Sequence, residues 1–262
     1  MAARVLHLSD LHTGTREDPE VEAALTTLTQ AVAPELIVAS GDLTHRGTRA
    51  QHERAHRFLT SLGPPVVAVP GNHDIPYTPA RFVRPWAEFE RTWGATEPTQ
   101  ASTNLHVVGL NSVRPYRIQS GALGDAQLHR AEERLAAAAE GAYRVVVLHH
   151  HLLGAPWRAA HKRPVSRRTH VLRSLVSAGA DLILSGHIHQ AALSERHEFE
   201  VVGGDARAAV LSIAPGFGQP RPNRLGEARG LHVYEIDDRT LTASTYIWRG
   251  GEWALTAERT FF

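Results

Sequence analysis

The sequence predicts an α/β protein in which two packed β-sheets are flanked by helices. Strand-length apolar runs alternate with helix-length segments through the first half of the 262 residues. Five of those runs end in Asp, Asn or His, three of them through a glycine: Val5-Leu-His-Leu-Ser-Asp10-Leu-His12, Leu36-Ile-Val-Ala-Ser-Gly-Asp42, Val66-Val-Ala-Val-Pro-Gly-Asn72-His73-Asp74, Val145-Val-Val-Leu-His149 and Asp181-Leu-Ile-Leu-Ser-Gly-His187-Ile-His189. After His189 the pattern changes to short strands.

In order, a strand is expected from Arg4 to Ser9, then a helix from Glu20 to Ala33 that the Pro34 region terminates. The strand into Asp42 completes a right-handed βαβ unit with parallel strands. A second helix, Arg49 to Leu62, stops at Gly63-Pro-Pro and leads to the strand Val66 to Val69. Polar residues then stand at the carboxyl ends of three parallel strands, where such sheets place their ligands. Residues 75 to 104, rich in Pro, Arg and aromatics, read as an excursion with short helices. Leu105 to Leu110 is a strand, and Asp125 to Glu140 an alanine-rich helix with Asp125 as N-cap. The strand Arg144 to Leu148, a basic loop over 154 to 168 and a helix Thr169 to Ala178 closed by Gly179 follow. Beyond His189, strands are expected around 198–202, 208–213, 230–237 and 240–248, with a hairpin turn at Asp237-Asp238.

With 42% hydrophobic residues the chain can bury a large core, and a single domain over 1–262 is expected. A net charge of +1 supplies no broad field for nucleic acid or an anionic membrane. Absence of cysteine excludes disulfides, thiolate metal sites and cysteine nucleophiles and fits a reducing compartment; 17 histidines are the obvious ligand source. The first residues run straight into a strand without a secretory pattern, and no apolar stretch reaches membrane-spanning length, so the cytoplasm is expected.

Alternation along a strand would point Asp10 and His12 the same way, and likewise His187 and His189. Gly41, Gly71 and Gly186 precede ligand candidates and permit close backbone approach. Nitrogen and oxygen donors without sulfur favour Mn, Fe or Zn. Taken singly, each block has an ordinary reading as a cap or turn. Five in succession at strand ends point instead to one site.

Asp10-x-His12, Gly41-Asp42, Gly71-Asn72-His73-Asp74, His149 and Gly186-His187-x-His189 together resemble, block for block, the signature of the calcineurin-like metallophosphoesterases. Phrases such as Ser40-Gly-Asp-Leu-Thr-His-Arg-Gly resemble the bacterial branch that includes class III cyclic nucleotide phosphodiesterases. The resemblance implies a double β-sandwich with helices outside, a four-layer α/β/β/α arrangement. It implies two divalent ions (Mn, Fe or Zn, including mixed Fe/Mn), one on Asp10, His12, Asp42 and His189, the other on Asp42, Asn72, His149 and His187. Many relatives carry His-His-Pro where this chain has His149-His150-His151-Leu152, so His150 stands as the alternative to His149.

The implied activity is hydrolysis of a small phosphodiester, of the cyclic nucleotide or glycerophosphodiester class, by a metal-bridging hydroxide. His73 fits neither ligand set and is assigned to the phosphoryl group or the departing alkoxide. Asp74 is expected beside it, orienting a histidine or closing a turn. His45, Arg46, Arg114, Arg117 and the basic run 158–168 are softer candidates for phosphate contact, and Tyr77, Trp86 and Trp93 for base stacking. The expected partner is a small phosphate ester, without membrane or nucleic acid, and a homodimer is compatible with the sequence. The rival readings are a phosphomonoesterase of the same fold and a non-catalytic interaction scaffold.

Overall fold

A computed structural model of the chain describes residues 2–117, 119–153, 163–189, 199–204, 207–218, 229–238 and 240–262, the side chains of 199–207 excepted. The first half runs β1 (Ala3–Leu8), α1 (Pro19–Val32), β2 (Leu36–Ala39), α2 (Arg49–Ser61), β3 (Val66–Ala68), α3 (Ala80–Val83), α4 (Ala87–Trp93), β4 (Thr99–Ala101) and β5 (Leu105–Gly109). Then come α5 (Asp125–Ala136), β6 (Tyr143–Val147), α6 (Arg168–Ser177), β7 (Leu182–Ser185), β8 (Phe199–Gly204), β9 (Arg207–Ile213), β10 (Gly230–Asp237), β11 (Thr240–Arg249) and β12 (Glu252–Phe261).

Two six-stranded mixed sheets result, with strand orders β12-β11-β10-β1-β2-β3 and β4-β5-β6-β7-β9-β8. β1, β2 and β3 are parallel, as are β5, β6, β7 and β9, while β10 joins β1 antiparallel. The inner faces meet over an apolar layer that includes Val5, Val38, Val67, Val107, Val145, Leu184 and Ile236. On the outer face of the first sheet, α1 and α2 bury Val21, Leu25, Ala55 and Leu59. On that of the second, α5 and α6 bury Leu128, Ala131, Leu135, Val171 and Leu175. Each such large aliphatic contributes about 1.5–3 kcal/mol through burial. The layers therefore run helix, sheet, sheet, helix, and the parallel strands of both sheets deliver their carboxyl ends to one edge.

Two edge strands escape the sequence reading. β4 is exposed throughout and β12 buries only Trp253, and an edge strand with little to bury shows no clean alternation. The signal for β12 was Gly250-Gly251, both at positive φ and closing the two-residue hairpin in which Arg249 pairs with Glu252. A second correction concerns α5. Its N-cap is Gly124, and Asp125 instead turns its carboxylate to Arg167 and His170.

Candidate metal centre

Every candidate ligand lies past the end of its strand. Strand alternation therefore does not aim Asp10 with His12 or His187 with His189, contrary to expectation. Left-handed backbone does: φ is 54° at Asp10, 50° at His12, 50° at Asp42, 73° at His187 and 58° at His189. Each non-glycine residue there costs on the order of 1–2 kcal/mol, so something must hold it. Bonds between loops supply the hold. Asp10 N–H donates to Gly41 O, His12 N–H to Asp42 O, His187 N–H to Asp10 Oδ2 and His73 N–H to Asp42 Oδ1, all at 2.8–2.9 Å. Gly41, with φ 93°, has no room for a side chain, because a Cβ would stand 2.7 Å from His149 Nδ1.

Asp74 is part of this bracing. Its buried carboxylate accepts from the amides of Leu43, Thr44 and Gly71 and from the Thr44 hydroxyl, which ties the Asp42 loop to the β3 turn. Burial pushes that carboxyl up, with His52 and these donors opposing. His52 itself meets the Asp74 carbonyl, not its carboxylate.

Two groups of ligand atoms converge and share Asp42. Asp10, His12, Asp42 and His189 offer atoms that all lie within 4.8 Å of one another, and so do Asp42, His149 and His187. In the first group, His189 Nε2 is 2.9 Å from Asp10 Oδ1 and 3.1 Å from His12 Nε2. In the second, His149 Nε2 is 3.4 Å from Asp42 Oδ2 and 3.2 Å from His187 Nδ1. Ring nitrogens so close have at most one proton between them, whereas a cation with ligand bonds of about 2.0–2.2 Å would satisfy both lone pairs. Asn72 Oδ1, in a residue 3% exposed, makes no hydrogen bond among the described residues. The donor set and this orphaned oxygen fit divalent ions.

The His149 Nδ1–H donates to Ser40 O at 2.8 Å, which leaves Nε2 as the ligating atom. His150 points elsewhere, its Nδ1 2.9 Å from Ser112 Oγ. His149 of the second group and His12 of the first differ in charge state. Burial works against a charged His149, but Asp42 beside it prevails and raises it to about 9. Burial, only partly offset by Asp42, lowers His12 to about 3. Burial raises Asp42 and Asp10, yet His149 and His189 respectively outweigh it and hold both carboxyls well below their ordinary range.

His73 borders the first group, its ring 4.8 Å from that of His12 and 5.8 Å from that of His45, and these three also offer nitrogens within 4.8 Å. Its Nδ1 lies 2.9 Å from His45 O, an atom that only accepts, so the proton sits on Nδ1 and Nε2 is left for the site. His45, a soft candidate from sequence, thus lines the same edge. Arg114 is instead tied to Gln127 and to the Asn111 and Val113 carbonyls, and Arg117 to Ser166. Trp93 packs on Phe89 and His56, away from the edge. In the basic run, 158–162 lie outside the described residues.

Residues 3–191 match the family model described as calcineurin-like phosphoesterase. The chain belongs to that family. It is accordingly a phosphoric ester hydrolase of a family that normally binds divalent metals. Among curated relatives of this phosphoesterase, a probable cyclic nucleotide phosphodiesterase of Synechococcus sp. is 28% identical over 220 residues, 79% of this chain and 82% of the relative. The 3′,5′-cyclic adenosine monophosphate phosphodiesterase CpdA of Haemophilus influenzae is 29% identical over 176 residues, 66% of this chain and 61% of the relative. Among solved structures, yellow lupin purple acid phosphatase aligns over 99% of this chain and 53% of its own, with a TM-score of 0.67 at 10% identity. Plasmodium GAP50 aligns over 98% and 88%, with a TM-score of 0.64 at 13% identity. At those identities the likeness is of fold alone.

Among the described residues no helix is long and apolar enough to cross a membrane.

Proposed function

We propose that this phosphoesterase hydrolyses a small phosphodiester of the cyclic nucleotide or glycerophosphodiester class at a dinuclear metal centre. The observation that carries the reading is the pair of ligand groups sharing Asp42, with His73 at their margin. The names of the bacterial relatives support the diester and, within it, the cyclic nucleotide.

In this reading Asp10, His12, Asp42 and His189 hold one ion, and Asp42, Asn72, His149 and His187 the other. Two divalent ions would supply an acidified water as nucleophile and offset charge on the phosphoryl oxygens. Mn, Fe and Zn all suit the donors. As an imidazolium whose Nδ1–H is held on His45 O, His73 would donate its Nε2–H to the phosphoryl group or to the leaving alkoxide, ending as the neutral Nδ1–H tautomer. Asp74 acts as a brace of the Asp42 loop. Residues 1–262 act as one domain, and a cytoplasmic location suits the cysteine-free composition.

The test pairs elemental analysis with a panel of 3′,5′-cyclic AMP, a glycerophosphodiester and aryl mono- and diesters. Two metal ions per chain, chelator-sensitive turnover and a higher kcat/KM for diesters are expected. A preference for monoesters would transfer the assignment to a phosphomonoesterase, and two bound metals without turnover on any ester to the scaffold reading.

A further inference from the structure

Beneath the metal centre, at the end of the apolar layer between the sheets, five fully buried polar side chains meet: His7 (β1), Ser40 (after β2), Ser212 (β9), and His232 and Tyr234 (β10). His7 Nε2 is 2.8 Å from Ser40 Oγ, and its Nδ1 is 3.3 Å from Tyr234 Oη. Tyr234 Oη is 2.7 Å from Ser212 Oγ and 3.0 Å from His232 Nδ1. Ser185, just ahead of the Gly186-His187 turn, donates through Oγ to Ser212 O at 3.0 Å. The chain of contacts crosses from the first sheet to the second.

Ser40 is the junction with the metal centre. Its N–H donates to Leu8 O, its hydroxyl meets His7, and its carbonyl accepts from His149 Nδ1–H at 2.8 Å. That last bond sets which His149 nitrogen faces Asp42 and His187. Those ligands come from loops of different sheets, so their mutual placement follows the register between the sheets. Directional bonds fix such a register more sharply than apolar packing does.

We propose that His7, Ser40, Ser212, His232 and Tyr234 form a positioning network for the inner half of the centre, acting on His149 through the Ser40 carbonyl. It rests on the dinuclear reading and adds to it a selective effect on one ion. The Asp10–His12–His189 group has no hydrogen bond to Ser40 among the described residues and meets this loop through Gly41 O and the shared Asp42, so its ion responds less to the network.

The test titrates the metal-free full-length protein with Co2+, followed by visible absorption, in wild type, His7→Leu, His7→Gln and Tyr234→Phe. In His7→Leu one of two binding steps weakens by about 10–100-fold, the range for an outer partner of a metal ligand, with an altered spectrum for that step alone. His7→Gln recovers most of the loss. Tyr234→Phe keeps the ring and the fold and weakens the same step several-fold, which serves if His7→Leu does not fold. Equal weakening of both steps, or a lowered Tm with both steps unchanged in Tyr234→Phe, overturns the network's role while leaving the dinuclear reading intact. A folded wild type that takes up no Co2+ overturns both.

Discussion

The two ligand groups that share Asp42 each contain two histidines, yet His149 in the inner group and His12 in the outer one hold their protons in opposite ways. In the inner half, His149 has an acceptor at each nitrogen, Ser40 O and Asp42 Oδ2, so a buried imidazolium is solvated by the protein and persists to about 9. In the outer half, His12 Nε2 faces another imidazole at 3.1 Å and its carboxylates at 3.8–3.9 Å, while its Nδ1 has no partner among the described residues. A proton there would be stranded, and His12 stays neutral down to about 3. The comparison teaches that at His149 the neighbouring carboxylate outweighs burial and keeps a proton where an ion would sit, whereas at His12 burial wins and the imidazole is neutral.

The strongest way to break this picture is to remove the element common to both halves. Asp42→Ala is expected to lose both ions and all measurable turnover, an effect larger than the roughly 10–100-fold in metal affinity typical of outer partners. His73→Ala should keep two ions per chain and lose about 10²–10⁴-fold in kcat, the usual worth of a positioned acid or base. Metal content measured beside activity separates the two. Two ions retained in Asp42→Ala would sink the shared-carboxylate geometry.

The blocks that make this experiment choosable were legible in the sequence because chemistry there is written as residue type. Asp10, His12, Asp42, Asn72, His149, His187 and His189 are polar residues closing apolar runs, and the edge they share follows from parallel strands. What aims them was not legible. Five left-handed residues depend on bonds between loops far apart in the chain, such as His187 N–H to Asp10 Oδ2, and no local pattern encodes those. Asp74 read as a neighbour of the chemistry because it adjoins His73; its three amide donors come from Leu43, Thr44 and Gly71. The inner network left one trace in sequence, a histidine at position 7 between the apolar Leu6 and Leu8.

Acidity offers a finer test of the contrast. His149, raised to about 9 from an ordinary value near 6.5, stabilises the metal-free fold fully below pH 6.5 and loses that contribution as pH climbs through 9. At 1.36 kcal/mol per unit the loss is on the order of 3 kcal/mol. His12 works in the other window: its lowered value removes stability as pH falls from 6.5 toward 3. Metal-free protein should therefore lose Tm between pH 7 and 9 while its affinity for the inner ion rises over the same interval, because the ion displaces the His149 proton. Calorimetry in two buffers of different ionisation enthalpy would register that proton. A Tm that is flat across this window would show that His149 is neutral before metal arrives, and the contrast between the halves would disappear.

The smallest expected effect lies at the outer margin. Tyr77 Oη is 2.8 Å from His73 Nδ1, and since His45 O already takes that N–H at 2.9 Å, the phenol oxygen acts as a second acceptor for one proton. A shared hydrogen bond to a residue 47% exposed competes with water, so its net worth falls at the low end of the usual 0.5–1.5 kcal/mol. Tyr77→Phe should thus lower kcat only about 2–3-fold, with metal content and KM unchanged, because His45 O alone keeps the His73 tautomer. A loss as large as that of His73→Ala would mean that Tyr77, not His45, sets the proton on His73, and would move the proton-handling part of the outer half from the Asp42 loop to the segment after Asp74.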